Sequence, residues 1–225
     1  MPFAVIFDMD GTLFQTNTIL ELALEDTFHD LRQKGLWFEN TPIDTYRDIM
    51  GVPLPVVWET LLPKHPDYIR EEVDAYFLLQ LIANIQKGNG ALYPNVKEIF
   101  HYLKSKHIPI YIASNGLEAY LEAIVEYYRL QEWIDGVFSI EQILSQHKSD
   151  LVKMIIDTHK INSGIVVGDR LSDIKAAKEN NLLSVGCNFD FAQDEELKQA
   201  DYIIDDLLLL QSIIETEKRY GIENK

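Results

Sequence analysis

Two carboxylates one residue apart, Asp8 and Asp10, stand directly after the apolar run Phe3 to Phe7 and directly before Gly11-Thr12. Three more segments carry groups suited to a charged reactant: Ser114-Asn115-Gly116, Lys148, and Gly168-Asp169-Arg170-Leu171-Ser172-Asp173. A carboxylate attacks electrophiles, moves protons or ligates metals, whereas a hydroxyl, a backbone amide and an ammonium complement an anion. Gathering Asp8, Asp10, Asp169 and Asp173 in one place is costly, because two carboxylates about 4 Å apart repel by about 4 kcal/mol at an effective dielectric near 20. A divalent cation removes that cost. Taken singly, each Asp also fits a turn or a helix cap, Ser114 fits an N-cap for a helix starting at Leu117, Asp173 fits a cap for the helix carrying Ile174, and Lys153 competes with Lys148. Their joint placement favours chemistry.

The elements that would carry them alternate. Short apolar runs at Phe3 to Phe7, Ile108 to Ala113, Gly164 to Val167, Leu182 to Gly186 and Tyr202 to Ile204 read as buried strands, separated by stretches long enough for helices. That pattern predicts an α/β fold with a Rossmann-like parallel sheet, in which ligands collect beyond the strand carboxyl ends. Pro94 to Lys106 reads as a helix leading into the second strand, and Lys148 sits in the turn before the helical pattern Leu151, Ile155, Ile156. Residues 15–88 break the alternation with helical patterns alone, around Ile19, over Leu54 to Leu62 and over Ile69 to Ile85. The division expected is a core of residues 1–14 and 89–225 with a helical insertion of residues 15–88, hinged at Gln15-Thr16-Asn17 and Gly88-Asn89-Gly90.

The four segments, in this order, resemble the motifs of the haloacid dehalogenase-like superfamily of phosphohydrolases: DxDGT, a Ser or Thr after the second strand, a Lys, and GDxxxD. The likeness spans residues 3 to 210, and the insertion resembles a C1-type cap (subfamily I), with Gly51-Val52-Pro53 similar to its substrate-specificity segment. Ser149 follows Lys148 where a Pro is common. Oxygen ligands beside a phosphate favour Mg²⁺. The resemblance implies ligands from the Asp8 carboxylate, the Asp10 backbone carbonyl and the Asp169 carboxylate, with Asp173 orienting a bound water or Lys148. It implies Asp8 as nucleophile, Asp10 as general acid and then base, and Ser114, Asn115 and Lys148 as holders of the phosphoryl oxygens. The activity implied is hydrolysis of a small-molecule phosphomonoester, as in phosphoglycolate phosphatase and nucleotidase-like members. A phosphosugar mutase and a non-catalytic phospho-receiver are the alternatives.

Composition bounds the rest. The 225 residues carry 20 basic and 36 acidic side chains, a net charge of −16 that disfavours nucleic acid and anionic membrane as partners. One cysteine, Cys187, excludes an internal disulfide, and a chain reaching its acidic pair by residue 10 without a basic, apolar leader is expected in the cytoplasm, as a monomer or homodimer. The six His and Asn188-Phe189-Asp190 show no metal-ligand spacing. Tyr46, Trp58, Tyr68 and Tyr76 are expected to form the insertion's own core, with Arg47 and Lys64 on its solvated surface.

Overall fold

Val5, Ile6 and Phe7 are apolar on both sides of the pleat, and a strand of that kind needs cover on both faces. In the computed structural model, which describes residues 3–49, 54–190 and 192–223 (side chains to 217), this strand is central. The sheet is six-stranded and wholly parallel, with β1 (Phe3–Phe7), β2 (Ile110–Ser114), β3 (Gly136–Ser139), β4 (Ser163–Gly168), β5 (Leu183–Cys187) and β6 (Tyr202–Ile204) in the order β3-β2-β1-β4-β5-β6. Among the described residues ten α-helices accompany it: α1 (Asn17–Gln33), α2 (Ile43–Asp48), α3 (Leu54–Leu61), α4 (Asp67–Gln86), α5 (Val96–Ser105), α6 (Glu118–Tyr128), α7 (Lys148–His159), α8 (Leu171–Glu179), α9 (Asp194–Leu197) and α10 (Leu210–Glu223). The chain divides into two compact units, Met1–Gln15 with Leu92–Lys225, and Thr16–Ala91.

In the first unit, alternate residues of β1 serve opposite layers. Ala4 and Ile6 join Tyr111, Ala113 and Val166 beneath Leu151, Val152 and Ile155 of α7 and Ala176 and Ala177 of α8. Phe7 points the other way and meets Phe100 of α5 with ring centroids 5.5 Å apart. The strand order reverses at β1, with β2 on one side and β4 on the other, so their carboxyl ends flank a topological switch point. Asp8 follows β1, Ser114 ends β2, and Asp169 follows β4.

Strand β3 is absent from the sequence reading because its four residues are mostly half-buried and give no continuous apolar run. The second strand starts at Ile110 rather than Ile108, after Pro109, which has no N–H for a ladder. Lys148 opens α7 instead of preceding it.

The second unit is helical throughout its described residues. α4 buries Ile69, Val73, Phe77, Leu81 and Ile85, and α1 buries Ile19, Ala23, Leu24, Phe28 and Leu31. Trp58 packs edge-on to Phe77 at 5.3 Å, and its indole N–H donates to Asp74 at 2.6 Å. Tyr46 is buried, but Tyr68 is 62% exposed, contrary to expectation, because it lies one residue off the stripe that starts at Ile69. Arg47 is taken up by Glu21 at 2.6 Å and Asp44 at 3.2 Å on the surface, as its solvated reading anticipates. Gly51-Val52-Pro53 lies outside the described residues. No helix among the described residues is long and apolar enough to cross a membrane.

Because Phe100 is fully buried against the central strand, Phe100→Ala should lower the unfolding free energy by about 3–5 kcal/mol in denaturant titration. A loss under about 1 kcal/mol would contradict this packing.

Candidate active site

The segment after β1 is fixed by its own backbone. The Asp8 amide donates to the Val167 carbonyl at 2.8 Å, which carries the chain across to β4. Leu13 and Phe14 amides both donate to the Met9 carbonyl at 2.9 Å, and Gly11 donates to Phe14 at 3.0 Å, so residues 9–14 close on themselves. Gly11 has φ +73°, and a Cβ there would run into the Asp169 carboxyl. Only glycine allows both the turn and that approach. Thr12, fully buried, donates through Oγ1 to Asp169 Oδ1 at 3.4 Å.

Lys148 brings the remaining charges together. Its ammonium lies 2.8 Å from Asp8 Oδ1 and 2.5 Å from Asp173 Oδ1, with all three side chains at least nine-tenths buried. Asp173 Oδ2 accepts the Arg170 amide at 3.1 Å, so the residue caps α8 and pairs with Lys148 at once; the two readings of Asp173 are compatible. Lys153 instead pairs with Asp157 on the exposed face of α7. Carboxylate oxygens of Asp8, Asp169 and Asp173 come within 4.8 Å of one another.

Three buried carboxylates thus face a single ammonium. Burial, reinforced by Asp173 and Asp169 and opposed by Lys148, holds the Asp8 carboxyl well above the usual carboxylate range. Burial and then Asp173 push Asp169 up to about 7, against the pull of Lys148 and Arg170. For Lys148 the two carboxylates outweigh desolvation and raise the ammonium above its ordinary value. Such a donor set, all oxygen, buried and deficient in positive charge, fits a hard divalent cation held between Asp8 and Asp169.

The segment after β2 lies beside it in the strand order. Ser114 is buried and its Oγ accepts the Gly116 amide at 3.0 Å, leaving its O–H as a donor; Asn115 is exposed. The alternative reading of Ser114 as an N-cap does not hold: Leu117 occupies that position, the Glu118 amide at the start of α6 donates to Glu141 Oε2 at 2.7 Å, and Ser114 Oγ takes the Gly116 amide instead. Ser139, at the end of β3, donates to the Gly116 carbonyl at 2.7 Å and steadies the turn.

Asp10 does not join the carboxylate cluster through its side chain. Its Oδ1 accepts the Tyr120 hydroxyl at 2.6 Å. Tyr120, like Ser139, escaped the sequence reading, and Thr12 entered it only as the last residue of the DxDGT motif, with no role of its own. On α6 it sits in a buried run with Leu121 and Ile124, where a tyrosine reads as core.

Residues 5–187 match the family of haloacid dehalogenase-like hydrolases, and the chain belongs to that family. A phosphoglycolate phosphatase of Pseudomonas fluorescens is 22% identical over 216 residues, covering 92% of this chain and 78% of the relative. A pyrophosphatase PpaX of Listeria monocytogenes is 23% identical over 225 residues, covering 95% and 97%. Among solved structures, a Haemophilus somnus chain described as a predicted phosphoglycolate phosphatase superposes with a TM-score of 0.82 at 17% identity, covering 95% of this chain and 98% of that one. The likeness extends over nearly the whole fold.

Gly35 separates backbone strain from collision at Gly11, since its φ is +70° with nothing within 4 Å of a built Cβ. Gly35→Ala should cost about 1 kcal/mol and keep the affinity for a divalent cation. Gly11→Ala should also displace Asp169 and weaken binding of a divalent cation at least about tenfold by calorimetry, a change worth about 1.4 kcal/mol. Equal divalent-cation affinity in the two variants would contradict the approach of Asp169 to Gly11.

Proposed function

We propose that this chain is a Mg²⁺-dependent phosphatase that hydrolyses a small-molecule phosphomonoester through an aspartyl-phosphate on Asp8. The observation that carries the reading is the buried cluster of Asp8, Asp169 and Asp173 around Lys148 at the switch point of the sheet. Family membership and relatives named as phosphatases support it.

Asp8 and Asp169 would hold the cation through their carboxylates and Asp10 through its backbone carbonyl, with Asp173 orienting Lys148. When bound, the cation supplies positive charge that lets the carboxylates stay ionised and offsets that of the phosphate. Asp8 attacks phosphorus in line, forming an O–P bond as the bond to the leaving oxygen breaks. Asp10 gives that oxygen a proton. Water then attacks the phosphorus, Asp10 takes the water proton back, and the bond to Asp8 breaks to release phosphate. Lys148, the Ser114 hydroxyl and the Asn115 amide hold the phosphoryl oxygens where charge accumulates. In a chain of net charge −16, these donors supply the local positive potential that the anionic substrate needs.

Residues 16–91 would act as the cap that selects the leaving group, with Gly51-Val52-Pro53 contributing to that choice. A phosphate-release screen over sugar phosphates, phosphoglycolate, nucleoside monophosphates and aryl phosphates, with and without Mg²⁺, identifies the substrate class.

Asp8→Asn should fold but lose turnover by roughly three or more orders of magnitude, since an amide is no anionic nucleophile. Excess chelator should abolish wild-type phosphate release, Mg²⁺ should restore it and Ca²⁺ should restore it poorly. Turnover near wild type in Asp8→Asn, or full activity in chelator, would remove the mechanism.

A further inference from the structure

Given the reading above, in which Asp10 serves the leaving oxygen, we infer that Tyr120 is a positioning residue for the Asp10 carboxyl. It couples the turn that grips phosphate to the group that handles the proton. The hydroxyl-to-Oδ1 distance of 2.6 Å is that of a short O–H···O hydrogen bond, which Oδ1 accepts both when Oδ2 carries the proton and when it has given it up. A carboxyl group rotates freely about its last torsion unless something holds it, and a donor on one oxygen sets where the other points.

Tyr120 has little freedom of its own. It is 5% exposed, lies in the first turn of α6, and its amide donates to the Leu117 carbonyl at 3.1 Å. Its ring is so close to Gly116 that a Cβ there would stand 3.2 Å from Cδ1, with Ser114 Oγ at 3.3 Å. The Gly116 carbonyl is in turn held by Ser139. Ser114, Gly116 and Tyr120 therefore form one rigid piece, presenting a hydroxyl at one end and orienting Asp10 at the other. The loop of residues 9–14 constrains Asp10 from its own side, through the Gly11 to Phe14 hydrogen bond and the bridge between Asp10 and Phe14.

Tyr120→Phe removes one oxygen and keeps the packed ring. The test measures kcat and KM with the alkyl phosphate hydrolysed fastest in the screen above, and single-turnover nitrophenolate release from p-nitrophenyl phosphate, for wild type, Tyr120→Phe, Asp10→Asn and the double variant. An alkoxide leaving group needs the proton and a nitrophenolate does not. Tyr120→Phe should lower kcat on the alkyl ester roughly 10- to 100-fold, with KM and aryl bond cleavage within about 3-fold of wild type. In the Asp10→Asn background it should add almost nothing. If Asp10→Asn shows the leaving-group dependence but Tyr120→Phe matches wild type, affects both esters equally, raises alkyl turnover, or adds its full effect to Asp10→Asn, the positioning role is wrong and the phosphatase reading stands. If Asp10→Asn itself spares the alkyl ester, or no phosphomonoester is turned over at all, the premise fails and this inference falls with it.

Discussion

Three buried carboxylates around one ammonium are the constraint on which the rest of the first unit depends. Each carboxylate taken from water costs several kcal/mol unless paired, and Lys148 contacts only Asp8 and Asp173. Asp169 accepts a weak hydroxyl contact from Thr12 and crowds Gly11, and the pull of Lys148 and Arg170 does not offset its burial. Apolar replacements of similar volume would make a more stable protein. The cluster makes sense as a site held at the expense of stability, with its missing positive charge supplied by a ligand.

The sheet is what makes such a cluster possible. A parallel strand covered on both faces delivers its last residue to the rim with almost no play, and β1, paired along its whole length with β4, brings Asp8 and Asp169 to the same rim. The α7 face that buries Leu151, Val152 and Ile155 fixes Lys148 at its first turn, so a core contact decides where the ammonium sits. Gly168 belongs to the same economy of space, because a Cβ there would strike the Asp173 carboxyl. Site and core are one packing problem.

Much of this is legible in the sequence because the motifs are local. Asp8, Ser114 and Asp169 each end a strand whose apolar run is visible, and parallel strands collect their ends at one rim. What escapes depends on contacts between distant residues. Tyr120 reaches Asp10 across 110 positions, and Ser139 reaches Gly116 across 23, from a strand too short and too exposed to announce itself. The alternative reading of Ser114 as a helix cap is likewise decided by a contact, since the turn to Gly116 uses its oxygen. Tyr68 fails as a core residue by a single step around α4.

The central claim is that the cluster requires a divalent cation, and linkage to protons tests it directly. With Asp8 and Asp169 raised by burial, Asp169 to about 7, the metal-free folded state binds more protons than the unfolded one as pH rises from about 4 toward 7. The stability those protons support is present below the unfolded carboxylate range and is lost as pH climbs through the folded values. On the proposed function Mg²⁺ would compete for the same oxygens, so its stabilising effect would grow over the same interval. The measurement is the thermal midpoint in chelator and in saturating Mg²⁺ from pH 5 to pH 8, for wild type and Asp169→Asn. The account predicts an increment that rises with pH in the wild type and is largely abolished in the variant. An increment independent of pH, or the same in both proteins, would contradict it.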